Sequence, residues 1–123
     1  MIKIPFFESL KNTYIQVIQV ISMRSLDRDD LMIDYDSNLD SFFLSDMERL
    51  SAATELLRKA KELDDKITMQ AALVYIRSSS VRLSGFFENI TDDTDFFLKK
   101  NDWPDIPDDY QVPENYNYPY SGE

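Results

Sequence analysis

The sequence predicts a mainly α-helical protein, a small bundle of three to four helices, either closed by an acidic C-terminal tail rich in proline and tyrosine or carrying that tail as an extended arm. Three observations predict it. Two glycines in 123 residues and an apolar fraction of 43% describe a helical chain with few tight turns. Apolar residues recur at three- and four-residue steps through most of the first hundred positions. After residue 100 the composition changes abruptly, which divides the chain into a helical domain, residues 1–100, and a tail, residues 101–123.

The first helix is expected over residues 5–23. Pro5 suits a first helical position, and Phe7, Leu10, Tyr14, Val17 or Ile18, and Ile21 follow on one face. Residues 14–21 are rich in β-branched side chains, which leaves a strand as the competing assignment there. Residues 24–37 carry Asp27, Asp29, Asp30, Asp34 and Asp36 around the apolar Leu31, Met32, Ile33 and Tyr35, and read as a loop pinned by a hydrophobic knot.

Ser45 and Glu48 have the spacing of a capping box opening a second helix, with Met47, Leu50, Leu57, Ala60 and Leu63 on its stripe. Leu39, Phe42 and Phe43 read as a separate turn leading in. A third helix is expected over residues 66–89, capped by Asp64 or Asp65 and striped by Met69, Leu73, Ile76, Leu83 and Phe87. Neither Gly nor Pro interrupts the junction near residue 65. A hairpin is expected there rather than one helix of over 40 residues, because helices average about three turns. Thr91 reads as the cap of a short fourth helix, with Asp92 and Asp93 at its positive end, Lys99 and Lys100 at its negative end, and Asn101 as its stop.

All eight phenylalanines fall in four doublets, Phe6/Phe7, Phe42/Phe43, Phe86/Phe87 and Phe96/Phe97. Neighbours on a helix point about 100° apart, so each doublet presents apolar surface on two faces. One face suits a private core; the other needs the tail or another molecule. The tail holds four of the five prolines, the only tryptophan and four of the seven tyrosines. Proline at this density forbids a helix, while Trp103, Tyr110, Tyr116, Tyr118 and Tyr120 are contact-forming residues. Those five, with Phe42, Phe86 and Phe96, are the candidate partner-binding residues.

The chain carries a net charge of −10. Its 13 basic residues all lie before residue 101, whereas residues 101–123 add acidic side chains alone, Asp108 and Asp109 among them. Such a balance argues against direct nucleic-acid binding, which needs Lys and Arg for phosphate. It permits carboxylates to occupy a basic groove, for which Asp27, Asp29, Asp30, Asp34, Asp36, Asp108 and Asp109 form the candidate acidic surface. Histidine and cysteine are both absent. With no usual general base, thiolate nucleophile or soft metal ligand, neither enzyme activity nor a cofactor or metal is expected. Lack of cysteine fits a cytoplasmic or other reducing interior. No apolar run reaches the roughly 20 residues that span a bilayer.

Asp34, Asp36 and Asn38 open like a calcium loop, but Leu39 stands where its glycine belongs and Ser45 where its glutamate belongs. Pro104 and Pro107 have a P-x-x-P spacing without a flanking base. Leu39/Phe42/Phe43 and Leu83/Phe86/Phe87 resemble the apolar part of a sliding-clamp-binding box without its leading glutamine, and read as core stripe. The expected function is therefore non-enzymatic protein binding, as an accessory subunit of a larger assembly or by self-association, without a membrane. The alternative is an acidic inhibitor that occupies the basic groove of a nucleic-acid-binding protein, as small viral counter-defence proteins do.

Overall fold

The computed structural model describes residues 5–21, 30–99 and 103–119. Among them are three α-helices and no strand: α1 (Phe6–Ile21), α2 (Leu39–Glu62) and α3 (Lys66–Leu98), followed by a 3-10 turn at Glu114–Tyr116. None of these helices is long and apolar enough to cross a membrane. The mainly helical expectation holds, with two changes of boundary.

The first change is at the start of α2. Asn38, not Ser45, is its N-cap, and the Asn38 side chain accepts the Ser41 amide at 3.0 Å. Nothing in residues 39–45 breaks a helix, so the turn bearing Leu39, Phe42 and Phe43 is continuous with the rest. The second change is at the end of α3, which runs through Thr91 without interruption; no separate fourth helix forms. Asp93 there faces the core instead of capping, and the Thr94 hydroxyl donates to the Ile90 carbonyl at 2.7 Å, as it does inside a helix. The expected stop at Asn101 lies outside the described residues.

The junction near residue 65 is a hairpin. The Asp64 amide donates to Lys61 O and the Asp65 amide to Ala60 O, the two bonds of a Schellman stop. Asp64 takes the left-handed position, φ 54°, that glycine usually fills. Asp65 then caps α3, accepting the Thr68 amide at 3.1 Å and the Thr68 hydroxyl at 2.6 Å. Two charge-bearing residues thus do the work for which the sequence offers no Gly or Pro.

Antiparallel packing of α2 and α3 follows a seven-residue period. Leu39, Asp46, Ala53 and Ala60 are buried along α2, and Ala72, Ser79 and Asp93 along α3. That spacing keeps one seam of each helix on its neighbour with a left-handed twist. Alanine and serine in the seam let the axes approach toward the short end of the usual ~8–10 Å.

Helix α1 packs on the open end of this hairpin alone. Phe7, 3% exposed, meets Phe43 and Phe86 with ring centroids 4.9 Å away in each case. Tyr14 stands edge-on to Phe97 at 5.0 Å, and its hydroxyl bonds Thr94 Oγ1 at 2.6 Å. Burial of Leu10, Ile15, Val17 and Ile18 against the same cluster overrides the β-branched preference of residues 14–21, so the competing strand does not form.

Residues 30–38 alternate: Leu31, Ile33 and Tyr35 are buried, while Met32 and Asp34 are exposed. The expected knot is real, although Met32 lies outside it. An extended segment with no partner strand leaves its amides in need of acceptors. Asp93, 1% exposed, supplies them: its carboxylate accepts the Met32 amide at 2.6 Å, the Ile33 amide at 2.9 Å and the Tyr35 hydroxyl at 3.0 Å.

A second carboxylate arrangement ties α1 to α2. Asp40 accepts the amides of Phe7 at 3.1 Å and Glu8 at 2.8 Å, capping α1 from a distant part of the chain. In return the Glu8 carboxylate accepts the Leu39 amide at 2.7 Å. Lys11 sits between them, 2.7 Å from both Glu8 Oε1 and the Ser37 carbonyl. Two positive helix ends are thereby met by two acidic side chains. The Lys11 ammonium, then the Leu39 amide, hold the Glu8 carboxyl below its ordinary value.

Two outcomes follow. Asp93→Ala strands two amides and takes a buried acceptor from the Tyr35 hydroxyl, and is expected to lower unfolding free energy by about 3 kcal/mol or more, with Asp93→Asn intermediate, measured by urea denaturation. An Asp93→Ala protein as stable as the parent contradicts the assignment. For Glu8, the folded state favours the ionised form, so its contribution is full above the ordinary value of 4.5 and is lost as pH falls through the lowered folded value. The Tm gap between the parent and Glu8→Gln is expected to be wide near neutral pH and to close as the pH falls below the ordinary value; a gap independent of pH contradicts it.

Candidate functional site

Three of the four Phe doublets split into an inner and an outer ring. Phe7 and Phe97 are buried and Phe43 and Phe86 half-buried, whereas Phe6, Phe42 and Phe87 are exposed and Phe96 is half-buried against the core cluster. The inner rings make one aromatic core, with Phe43 and Phe86 6.0 Å apart beneath Phe7. Of the three phenylalanines expected at a partner surface, Phe42 therefore stands outward, Phe86 lies within that core, and Phe96 packs on its edge. Phe6 is another outward ring, and so is Phe87, which the sequence placed on the apolar stripe of the third helix.

Trp103 follows the end of α3 and is tethered to it, its indole N–H donating to the Phe97 carbonyl at 2.7 Å. That carbonyl lies in the last turn of the helix, where helical donors run out and the Lys99 amide is also directed at it. Tyr110, Tyr116 and Tyr118 are exposed; Tyr120 lies outside the described residues.

Of the acidic candidates, Asp30, Asp34, Asp36, Asp108 and Asp109 are exposed, and Asp27 and Asp29 lie outside the described residues. Asp34 turns its carboxylate onto its own loop, taking the Ser37 hydroxyl and the Asp36 amide. Those two bonds, the hydroxyl first, hold it below the ordinary aspartate value. Since Asn38 is occupied as a helix cap, the calcium-like spacing is spent on local structure. By anchoring residues 31–35 to α3, Asp93 gathers Asp30, Asp34 and Asp36 with the exposed Asp92 and Asp95 at the open end of the hairpin. The opposite end is mixed, with Arg58, Lys59, Lys61 and Lys66 beside Glu55, Glu62, Asp64 and Asp65.

Beyond α1, the hairpin has no third layer among the described residues, and a trough runs along one side of it. Its first cavity, about 320 Å³, is walled by Leu39, Phe42, Phe86 and Ile90, with Gly85 on its rim. The second, about 530 Å³, lies between Ala52 and Leu56 of α2 and Tyr75 and Ser78 of α3. Arg82 borders both, its Nε 2.9 Å from the buried Asp46 carboxylate, which also meets Arg49 at 3.3 Å. Both guanidiniums are about half exposed or more, so these pairs steer and orient more than they stabilise. An apolar trough with one carboxylate held between two guanidiniums is suited to receive apolar side chains from another surface.

The sequence reading missed Asp46, Arg82, Asp40 and Glu8. The available signal was the seven-residue step: Leu39, Asp46, Ala53 and Ala60 put a carboxylate at a position whose neighbours are buried. Comparison with known proteins finds no matching family model, no matching curated protein and no matching solved structure.

Proposed function

We propose that this chain is a non-catalytic protein-binding subunit or accessory factor of a larger assembly, and that its C-terminal segment is the arm that engages the partner. The observation that carries this reading is the contrast along residues 103–119. Trp103 is fixed to the end of α3 through its indole N–H, whereas Tyr110, Tyr116 and Tyr118 beyond it are 53%, 68% and 73% exposed. A tethered segment that keeps large, rigid aromatic rings in water supplies contact area at low cost in conformational entropy. The outward Phe42 and Phe87 add apolar surface near the same end of the helical domain.

The acidic-inhibitor reading has one observation in its favour, the gathering of Asp30, Asp34, Asp36, Asp92 and Asp95 at one end. Carboxylates concentrated in this way meet a basic groove by charge steering. Salt separates the two readings. Binding through the aromatic arm is expected to change little between low and high ionic strength, whereas a carboxylate surface in a basic groove loses affinity steeply.

The deciding experiment is affinity capture with the intact chain, with residues 101–123 removed, and with Trp103→Ala. Because the indole is already 41% exposed, Trp103→Ala is expected to lower stability by only about 1–2 kcal/mol while weakening partner binding tenfold or more. Retention of the same partner at the same affinity by both the truncated chain and Trp103→Ala contradicts the arm.

A further inference from the structure

Helix α3 carries a second seam, exposed along its large residues and bordering the trough at Ser78 and Gly85. Ile67, Ala71, Val74, Ser78, Val81 and Gly85 follow one another at alternating steps of four and three residues, the spacing of positions that meet in a coiled coil. Its large members are in water: Ile67 is 82%, Val74 56% and Val81 57% exposed. Large β-branched and small residues alternate strictly along it.

Gly85 has no reason to be glycine within its own fold. A glycine in a helix interior is unfavourable relative to alanine, yet a Cβ built there meets nothing within 4 Å. Reversing the seam end for end supplies a reason. About a centre at Ile76, Ile67 falls opposite Gly85, Val81 opposite Ala71, and Val74 opposite Ser78, so every large residue faces a small one. The two cavities of the trough stand at the same places. Gly85 borders the first and Ser78 the second, so Ile67 and Val74 of an antiparallel second copy arrive at their mouths.

Charge agrees with shape at the two ends of the seam. Lys66, Arg77 and Glu88, eleven residues apart, are all exposed and project from the same flank of the seam, so its two ends carry opposite charges while Arg77, beside the centre, faces its own copy. In the antiparallel register each copy's Lys66 meets the other's Glu88, twice by symmetry. A parallel register stacks Ile67 on Ile67, Gly85 on Gly85 and Lys66 on Lys66, losing both forms of complementarity.

We propose that the chain forms a two-fold symmetric, antiparallel dimer through this face of α3. The proposal uses a surface separate from the C-terminal arm and does not depend on it. Sedimentation equilibrium on the full chain tests it. The parent is expected to dimerise at tens of micromolar or below, as a contact of modest size does. Gly85→Leu, which occupies the position facing Ile67, is expected to weaken the dimer at least tenfold while helicity by circular dichroism is kept. Lys66→Glu and Glu88→Lys are each expected to weaken it several-fold, and the double reversal to restore it, a rescue that general damage to the fold does not produce. A parent that is monomeric up to about 200 µM overturns the proposal. So does a dimer whose affinity is unchanged by Gly85→Leu and by the single charge reversals.

Discussion

The carboxylate of Asp93 holds the open end of the molecule together. An extended segment laid across helices has no ladder to satisfy its amides, and burying Leu31, Ile33 and Tyr35 draws those amides out of water with the side chains. One side chain on α3 meets two of them and the Tyr35 hydroxyl. Only with that segment fixed do the apolar residues beneath it gain a lid and the N-terminus of α2 a defined position. The Asp40 and Glu8 exchange then sets α1 against α2 by the same chemistry, a carboxylate accepting backbone amides at a helix start. Three acidic residues, each facing inward, thus contribute to architecture in a chain whose acidity otherwise reads as surface.

This division gives the two ends of the hairpin different characters. At the open end, aromatic packing and carboxylate bonds fix three elements on one another. Toward the tip, alanine and serine bring α2 and α3 close, and nothing else covers them among the described residues. The apolar side chains left outward there, Ile67, Val74 and Val81, have no intramolecular role in burial. A long two-helix arm with one bare seam is stable only where close packing offsets its small core, or where something covers it.

The helices were legible where apolar spacing is undisturbed. Phe7, Leu10 and Tyr14 marked α1, and Asp65 marked the start of α3. The misreadings share one cause: polar residues were assigned their commonest local job. Ser45 and Thr91 have the look of caps, but a cap acts only where the helix begins, and Asn38 had already begun α2 while nothing had ended α3. Asp93 was read as a first-turn acid although it stands seven residues after Phe86 and fourteen after Ser79, on the core seam. A carboxylate at a core position signals a long-range partner, and the partner, bare amides 60 residues earlier, has no side-chain signature. The candidate surface was half legible. Doublets announced two-faced helices, but only contacts decide which ring of a pair turns inward, as Phe86 does and Phe42 does not.

Residue-resolved hydrogen exchange under native conditions tests the central claim most directly. If the Asp93 carboxylate secures residues 30–38 on α3, the amides of Met32 and Ile33 exchange slowly and together, opening in the same event, although they belong to no helix or sheet. Exchange of both at the rate of an unprotected chain, with α2 and α3 still protected, contradicts the account.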